Sequence, residues 1–381
     1  MEFVQTPIIP VVADLIRRHP GTISLGQGVV YYGPPPKAEQ RVAEFFRIPE
    51  MHKYKPVHGI PELASAFTKK LTDENGISVG DERALFVTAG SNLAFAAAIY
   101  AITDPGDEVI LQSPFYFNHE MAIAMGNGKP VIAKTLDNYQ LDLDAIRAAI
   151  TPRTRAIVTI SPNNPTGAVY PESDLRAVNA LCAERGIYHI HDEAYEYFLY
   201  DGEKHFSPGS IAGAEAHTIS LYSLSKAYGF ASWRVGFALV PSSLRAAMNK
   251  ILDTFQICAP VISQFAALGC LEAGAQYCRE KLEETIRVRK MVIEALSELG
   301  DRVEVPEARG AFYFLIRPRT NRKPMEIVEQ LISKYRIAVV PGSAFGLNEQ
   351  CALRLSYGPL TTSSAREGIT RLTEGLFQLL K

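Results

Sequence analysis

Seven short apolar runs, each bounded by turn residues, recur between Leu85 and Val240 and constrain the fold more than any other feature. They are LFVTAG (85–90), EVILQSP (108–114), KPVIAKTL (129–136), RAIVTISP (155–162), GIYHIHDEAY (186–195), HTISLYS (217–223) and WRVGFALV (233–240). Most of them do not alternate apolar with polar residues, which is typical of strands buried on both faces of a largely parallel sheet. Helical patterns separate most of the runs, so we predict an α/β domain with a mostly parallel seven-stranded sheet flanked by helices.

The pattern changes after Gly269 and predicts a second, smaller α+β domain. The charged segment QYCREKLEETIRVRKMVIEALSELG predicts an exposed amphipathic helix that leads out of the first domain. AFYFLIRP, IAVVPGS and CALRLSYG predict strands, MEIVEQLISKY predicts a helix, and a last helix is expected from Ser363 to Lys381. We assign the Pro- and Gly-rich N-terminal segment to this domain, which gives a large domain at 48–270 and a small one at 1–47 with 271–381.

Composition excludes several classes of partner. With 39 basic and 41 acidic residues the net charge is −2, which does not favour nucleic acid or an anionic membrane. No apolar run reaches the roughly 18–20 residues that span a bilayer, and the N-terminus lacks the pattern of a secretory signal. The five cysteines are scattered without metal-ligand spacing, so we expect no metal, reduced thiols and a cytoplasmic protein.

Polar residues of unusual kinds follow five of the predicted strands, where open parallel sheets bind ligands. Taken singly, each has an ordinary structural explanation: a helix cap at Gly90–Asn92, a turn at NNPTG, a packed tyrosine, or a solvated lysine. Together they form an anion-binding helix start, a carboxylate, an amide, a tyrosine and a lysine among uncharged neighbours. This combination is what a pyridoxal phosphate site requires.

The chain resembles the class I/II aminotransferases of fold type I over nearly its whole length. The resemblance is carried by segments that occur in the family's order, namely YKPVHGIPEL, SPNNPTG, DEAYEYF, SLSKAYGFASWRVG and LRLSYG. It implies pyridoxal 5′-phosphate as cofactor, an amino acid and a 2-oxo acid as substrates, and a homodimer.

The resemblance implies a catalytic role for three of these residues. Lys226 would form the internal aldimine with the cofactor aldehyde and then move a proton between the substrate Cα and the cofactor. Asp192 would pair with the pyridine nitrogen, so that the ring acts as an electron sink. Tyr195 and Asn164 would hydrogen-bond the cofactor's 3′-oxygen.

The remaining cofactor contacts are implied in the same way. Tyr116 would stack on the ring, with Phe115 and Phe117 left open as alternatives. Tyr54 of the partner subunit would complete the phosphate site, so that the homodimer shares its active sites. The other residues expected at the phosphate are Gly90, Ser91, Asn92, Ser223, Ser225 and Arg234.

For the substrate, the resemblance implies that Arg354 binds the α-carboxylate, close to Gly26 and Asn164. SLGQG is similar to a segment of the glutamine/kynurenine and methionine transaminases, although the continuation VVYYGPPP departs from that branch. Tyr31 and Tyr32 are expected to line the side-chain pocket, which favours neutral or aromatic amino acids and broad specificity.

Other functions remain open at this stage. A carbon–sulfur β-lyase would use the same cofactor and lysine, and an aspartate-type aminotransferase would need a second basic residue near the substrate side chain. A non-enzymatic pyridoxal phosphate-binding regulator would need a DNA-binding segment, for which we expect no room at the N-terminus. A dinucleotide-binding enzyme is disfavoured because no GxGxxG follows the first strand.

Overall fold

The computed structural model describes residue 1 and residues 4–381, and in this part of the chain it contains thirteen strands and twelve α-helices. The strands are β1 (Ile23–Ser24), β2 (Arg83–Thr88), β3 (Glu108–Ser113), β4 (Lys129–Lys134), β5 (Thr154–Ile160), β6 (Tyr188–Asp192), β7 (Thr218–Ser223), β8 (Gly236–Pro241), β9 (Val303–Glu304), β10 (Tyr313–Pro318), β11 (Ile337–Ala338), β12 (Val340–Pro341) and β13 (Leu353–Ser356).

The α-helices are α1 (Ile8–Arg18), α2 (Pro36–Phe45), α3 (Pro61–Asn75), α4 (Ser91–Ile102), α5 (Phe117–Met125), α6 (Leu143–Ala148), α7 (Glu172–Arg185), α8 (Leu224–Ala227), α9 (Arg245–Phe255), α10 (Val261–Ser297), α11 (Pro324–Tyr335) and α12 (Thr362–Leu379). Short 3₁₀ segments lie at Pro49–His52, Pro208–Ser210, Ala214–Ala216, Ala231–Trp233, Ser242–Leu244, Gly300–Arg302 and Gly342–Phe345.

The seven predicted strands form one sheet, with the order β2-β8-β7-β6-β5-β3-β4 among the described residues. Strand β8 runs antiparallel to both of its neighbours, and the other pairs are parallel. Gly236, the first residue of β8, is paired with Thr88 at the end of β2 and with Ser223 at the end of β7. The prediction of a mostly parallel seven-stranded sheet is therefore confirmed, and the carboxyl ends of β2, β3, β5, β6 and β7 share one edge.

The sheet is covered on both faces, which explains the unbroken apolar runs. All six residues of β7 and all six of β8 are buried. Leu221 packs into a core formed with α4 and α9, whereas the next residue, Tyr222, packs on the opposite face with α3 and α10. On that second face the rings of Phe67 and Phe237 stack with their centroids 3.6 Å apart.

The start of β8 and the break between β11 and β12 differ from the prediction, because apolar residues continue through a turn in both runs. Strand β8 begins three residues later than the run WRVGFALV, since Trp233 closes a 3₁₀ segment and Arg234 has a left-handed φ of 56°. The run IAVVPGS forms two strands instead of one. They are separated by Val339 and belong to different sheets.

The smaller sheets lie outside the central one. Strands β12-β13-β10-β9 form an antiparallel sheet of four, and β1 pairs in parallel with β11. Helix α10 is interrupted at Gly274, whose φ of 69° and ψ of −175° are not helical. Helix α2 packs on α10 so closely that a Cβ at Gly269 would collide with the backbone at Lys37. The proposed division into domains at 47/48 and 270/271 stays a prediction.

In the described part of the chain, no helix combines the length and apolar character that crossing a membrane requires. All five cysteines are free thiols, as the scattered spacing predicts.

Candidate active site

A cavity of about 400 Å³ opens at the edge of the central sheet where the five strand ends meet. Eleven of the sixteen predicted site residues line it: Ser91, Asn92, Tyr116, Asn164, Asp192, Tyr195, Ser223, Ser225, Lys226, Arg234 and Arg354. The cavity is also lined by residues that were not assigned from the sequence, namely Ile9, Gln27, Gly28, Val29, Ile160, Ala194 and Tyr313.

Lys226 lies on the short helix α8 that follows β7, and its ammonium donates a hydrogen bond to the Gly28 carbonyl. The pKa of Lys226 is lowered from 10.5 to about 8, chiefly by burial. The positive charges of Arg354 and Arg234 contribute to this shift, whereas the carboxylate of Asp192 opposes it. The lysine is therefore a partly neutral amine near physiological pH.

Asp192 is the last residue of β6, and its side chain is buried in the cavity wall. One carboxylate oxygen accepts the Ala194 amide at 3.0 Å, and the other lies 3.3 Å from Nε2 of His119. The His119 ring stacks on Phe95 at 3.9 Å between centroids, and its buried Nδ1 has no hydrogen-bond partner among the described residues. His119 thus fixes the orientation of the carboxylate, a role that its sequence position on α5 did not predict.

A chain of polar contacts connects the small antiparallel sheet to the cavity. Arg354 of β13 is only 2 % exposed and donates to Asn164 Oδ1 at 2.8 Å and to the Gly26 carbonyl at 2.6 Å. Asn164 Nδ2 lies 3.4 Å from the Tyr195 hydroxyl, which is 2.8 Å from the Tyr313 hydroxyl. Arg354 is therefore not a solvent-facing strand residue, because its side chain is buried in the cavity wall.

The start of helix α4 has the features of an anion site. Gly90 precedes the helix with φ 83° and ψ 163°, and no side chain in the described structure caps the free amides. The ordinary explanation of Ser91 and Asn92 as caps is wrong for that reason. The Arg234 guanidinium lies against Gly90, where an added Cβ would collide with it, and donates to the Ala89 carbonyl at 3.3 Å. Free amides and a guanidinium at a helix start suit a phosphate.

Two hydroxyls lie beside this anion site. Ser223 Oγ accepts the Ser225 amide at 3.2 Å, and Ser225 Oγ lies 3.5 Å from Arg234 Nη1. Both serines line the cavity, so their hydroxyls complete a polar cradle around the start of α4.

Among the three aromatic residues after β3, Tyr116 and Phe117 line the cavity. The Tyr116 hydroxyl lies 3.4 Å from Asn92 Oδ1, on the side of the anion site. The Phe115 amide instead donates to the Phe345 carbonyl at 3.1 Å, and Phe115 is absent from the described lining of the cavity. Of the two candidates that remain for stacking on the cofactor ring, Tyr116 is the one whose hydroxyl contacts Asn92 at the anion site.

The structure does not bring every predicted residue to the cavity. Tyr31 donates to the Lys281 carbonyl at 3.0 Å, and Tyr32 donates to the carbonyls of Lys226 and Ala227 at 3.2 and 3.0 Å. Within the described structure neither tyrosine lines the cavity, contrary to the expectation of a side-chain pocket.

Three further predicted residues lie beside the cavity or away from it. The backbone of Gly26 is held by Arg354, and Gly90 lies behind Ser91. Tyr54 is 79 % exposed and belongs to a separate surface depression with Phe45 and Gln256.

The cavity combines a partly neutral lysine, an opposed carboxylate, an anion site and a buried arginine on a fold type I scaffold, which is the arrangement of an aminotransferase. Residues 20–372 match the family model of class I and II aminotransferases. The chain is 33% identical to the aromatic aminotransferase ISS1 of Arabidopsis thaliana, with 98% of this chain and 94% of that protein covered. It is 37% identical to the aspartate/prephenate aminotransferase of Thermus thermophilus, with 80% of this chain and 78% of that protein covered.

The solved structure of Pyrococcus protein-A1 superposes with a TM-score of 0.94 at 31% identity, covering 99% of this chain and 98% of that chain. The chain belongs to the class I and II aminotransferase family, so the predicted family, fold class and aminotransferase activity are confirmed. The names of these relatives do not favour the carbon–sulfur β-lyase alternative.

Proposed function

We propose that this chain binds pyridoxal 5′-phosphate in the cavity and transfers the amino group of a neutral or aromatic L-amino acid to a 2-oxo acid. The observation that carries the proposal is that Lys226, Asp192, the uncapped start of α4 and Arg234 line one cavity. These residues fit the three reactive parts of the cofactor, which are an aldehyde, a pyridine nitrogen and a phosphate. When bound, the cofactor's ring withdraws the electron pair that the substrate Cα–H bond leaves behind.

The roles of Lys226 and Asp192 follow from their electrostatics. A pKa of about 8 leaves a useful fraction of Lys226 as free amine, which can remove a proton from the substrate Cα and return it. The Asp192 carboxylate, held by His119 and the Ala194 amide, binds and keeps the proton on the pyridine nitrogen. Tyr195 and Asn164 would hold the oxygen on the cofactor ring, and Tyr116 would stack on that ring.

The phosphate is assigned to the α4 amides of Ser91 and Asn92, the hydroxyls of Ser223 and Ser225, and Arg234. We further propose that two copies form a homodimer in which Tyr54 of each copy completes the other's phosphate site. The support is the exposure of Tyr54 in the single chain, in which other large apolar residues such as Phe46 are exposed as well. Free thiols agree with a cytoplasmic location.

Arg354 is the proposed anchor of the substrate α-carboxylate, with Gly26 beside it. The described cavity lining contains three cationic side chains, and each of them has a role in this scheme: Lys226, Arg234 and Arg354. None is left for a second carboxylate, and Ile9, Val29 and Phe117 supply apolar surface instead. This favours neutral and aromatic substrates; the Thermus relative named for aspartate and prephenate keeps an acidic substrate as the second candidate.

A panel of half-reactions tests the proposal. The purified protein loaded with pyridoxal phosphate is mixed with phenylalanine, tyrosine, methionine, alanine, aspartate or glutamate, and the visible absorbance is followed. We expect conversion with the aromatic and neutral amino acids to be faster than with the two acidic ones. Lys226→Ala should keep the fold and lose turnover; sustained turnover in that variant would refute the mechanism. Release of pyruvate from cystathionine without a 2-oxo acid would identify a β-lyase instead.

A further inference from the structure

Tyr313 is a cavity residue to which neither the sequence nor the proposed mechanism assigns a role. It is the first residue of β10, is fully buried, and places its hydroxyl 2.8 Å from that of Tyr195. Its ring lies under the Arg354 guanidinium at 4.6 Å from the ring centroid. Tyr313 therefore contacts both the tyrosine assigned to the cofactor oxygen and the arginine assigned to the substrate carboxylate.

Arg354 determines the direction of the hydrogen bond between Asn164 and Tyr195. Because Arg354 donates to Asn164 Oδ1 at 2.8 Å, the Asn164 amide must turn its NH₂ group to the other side, where Tyr195 lies at 3.4 Å. The Tyr195 oxygen is thus an acceptor toward Asn164. It carries one proton of its own, and the direction of that proton depends on the contact with Tyr313.

Two hydroxyls at 2.8 Å share one proton between them, so one tyrosine donates and the other accepts. Arg354 lies over the Tyr313 ring, and a cation there makes the phenol a better donor. Burial raises the pKa of both tyrosines, that of Tyr313 to about 12, and Arg354 lowers both, but its guanidinium lies over the ring of Tyr313. Donation from Tyr313 to Tyr195 is the favoured direction.

We propose that Tyr313 is a positioning residue that donates to the Tyr195 oxygen and thereby directs the Tyr195 proton into the cavity, toward the cofactor oxygen. Gly28 makes this possible, because a Cβ at that position would collide with the Tyr313 hydroxyl. The same ring supports Arg354, so one residue sets the geometry both at the cofactor oxygen and at the substrate carboxylate. This inference rests on the proposed function of the site.

The test compares Tyr313→Phe, Tyr195→Phe and the double variant, each loaded with pyridoxal phosphate. The readout is the apparent pKa of the cofactor's visible absorbance. A donor to the cofactor oxygen stabilises the deprotonated form, so its loss raises that pKa. We expect Tyr195→Phe to raise it, Tyr313→Phe to raise it by a smaller amount, and the double variant to match Tyr195→Phe alone. Turnover of Tyr313→Phe should fall about 3- to 10-fold, as for the loss of one neutral hydrogen bond.

Tyr357→Phe is the matched control, because Tyr357 is equally buried, its hydroxyl lies 3.4 Å from the Ala311 carbonyl, and it is not among the described cavity residues. It should leave the cofactor's pKa unchanged. Tyr313→Leu also removes the ring under Arg354 and should raise the KM for the amino acid, which Tyr313→Phe should not.

Two results would overturn the inference and leave the proposed function intact. In the first, the pKa shifts of the two single variants add in the double variant. In the second, Tyr313→Phe has the same cofactor pKa as the wild type. A wild-type protein that binds the cofactor but transaminates no amino acid would refute the proposed function, and the absorbance titrations would still decide the role of Tyr313. Wild-type protein that takes up no cofactor would overturn both.

Discussion

Exchanging Arg354 for methionine removes one of two guanidinium groups that lower the pKa of Lys226. This pKa is about 8 instead of 10.5, because of burial first, then Arg354, then Arg234, with Asp192 acting in the opposite direction. At pH 7.5 a pKa of 8 leaves about one quarter of the amines free, against roughly one in a thousand at the ordinary value. Loss of Arg354 should raise the pKa of Lys226, and each unit of increase removes about 90% of the free amine at neutral pH.

The assay is amine-selective acylation of the cofactor-free protein at low conversion, between about pH 6 and about pH 10, followed by peptide mass spectrometry. Lys53, whose side chain is 68% exposed, is an internal reference in the same digest. In the wild type, Lys226 should titrate near pH 8, about 2.5 units below the ordinary lysine value of 10.5. Arg289→Met is the matched control, because Arg289 is a buried arginine paired with Asp201, outside the described cavity lining. It should leave the Lys226 titration unchanged.

Two results would contradict this reasoning. If Lys226 titrated at the ordinary lysine value of 10.5, burial and the neighbouring cations would have no effect on the amine. If Arg354→Met left the Lys226 titration in place, the contribution of this guanidinium would be absent, and burial and Arg234 would account for the lowered pKa. The first result would also weaken the proposed role of Lys226 as a proton carrier at neutral pH.

Gly90→Ala should weaken pyridoxal phosphate binding by about 10-fold or more. The positive φ costs an alanine roughly 1–3 kcal/mol, and the new Cβ displaces Arg234. Fluorescence titration measures the Kd, and an unchanged Kd would contradict this prediction. Burial lowers the pKa of both His189 and His191 well below 6.5, so only the unfolded chain takes up these protons. The free energy of unfolding should therefore not depend on these two histidines above pH 6.5, and below pH 6.5 it should fall by up to about 2.7 kcal/mol per pH unit. In urea titrations, His191→Asn should show a shallower fall with pH. A slope equal to that of the wild type would refute the prediction that His191 is neutral in the folded protein. Tyr54→Phe should lower cofactor affinity about 10-fold without altering the urea midpoint, and an unchanged affinity would remove Tyr54 from the phosphate site.

The strands of the central sheet were predictable because a buried strand needs apolar residues on both of its sides. Leu221 and Tyr222 illustrate this, since they pack into different cores although they are adjacent in the chain. The two errors in the strand predictions, at the start of β8 and between β11 and β12, have one physical cause. Val339 and Trp233 are apolar and extend their runs, but a break between strands and a left-handed residue at Arg234 depend on backbone conformation, which hydropathy does not record.

The site was predictable wherever a residue lies next to a strand end or a helix start. Asp192, Lys226 and the Gly90–Asn92 segment are of this kind, because sheet geometry brings such positions together whatever the packing of the side chains. His119 and Tyr313 could not be found in this way. Tyr313 reaches the cavity from β10 and His119 reaches Asp192 from α5, and only the packing of those elements decides where the side chains point.

The register of β10 on β13 shows how much depends on such packing. Leu315 pairs with Arg354, and Tyr313 pairs with Ser356, so Tyr313 and Arg354 lie two residues apart on the same face of the sheet. A slip of one residue would turn Phe312 or Phe314 toward Arg354 and would remove the only hydroxyl that can reach Tyr195 from this strand. Register in a small antiparallel sheet therefore determines the direction of a proton in a cavity at the edge of another sheet.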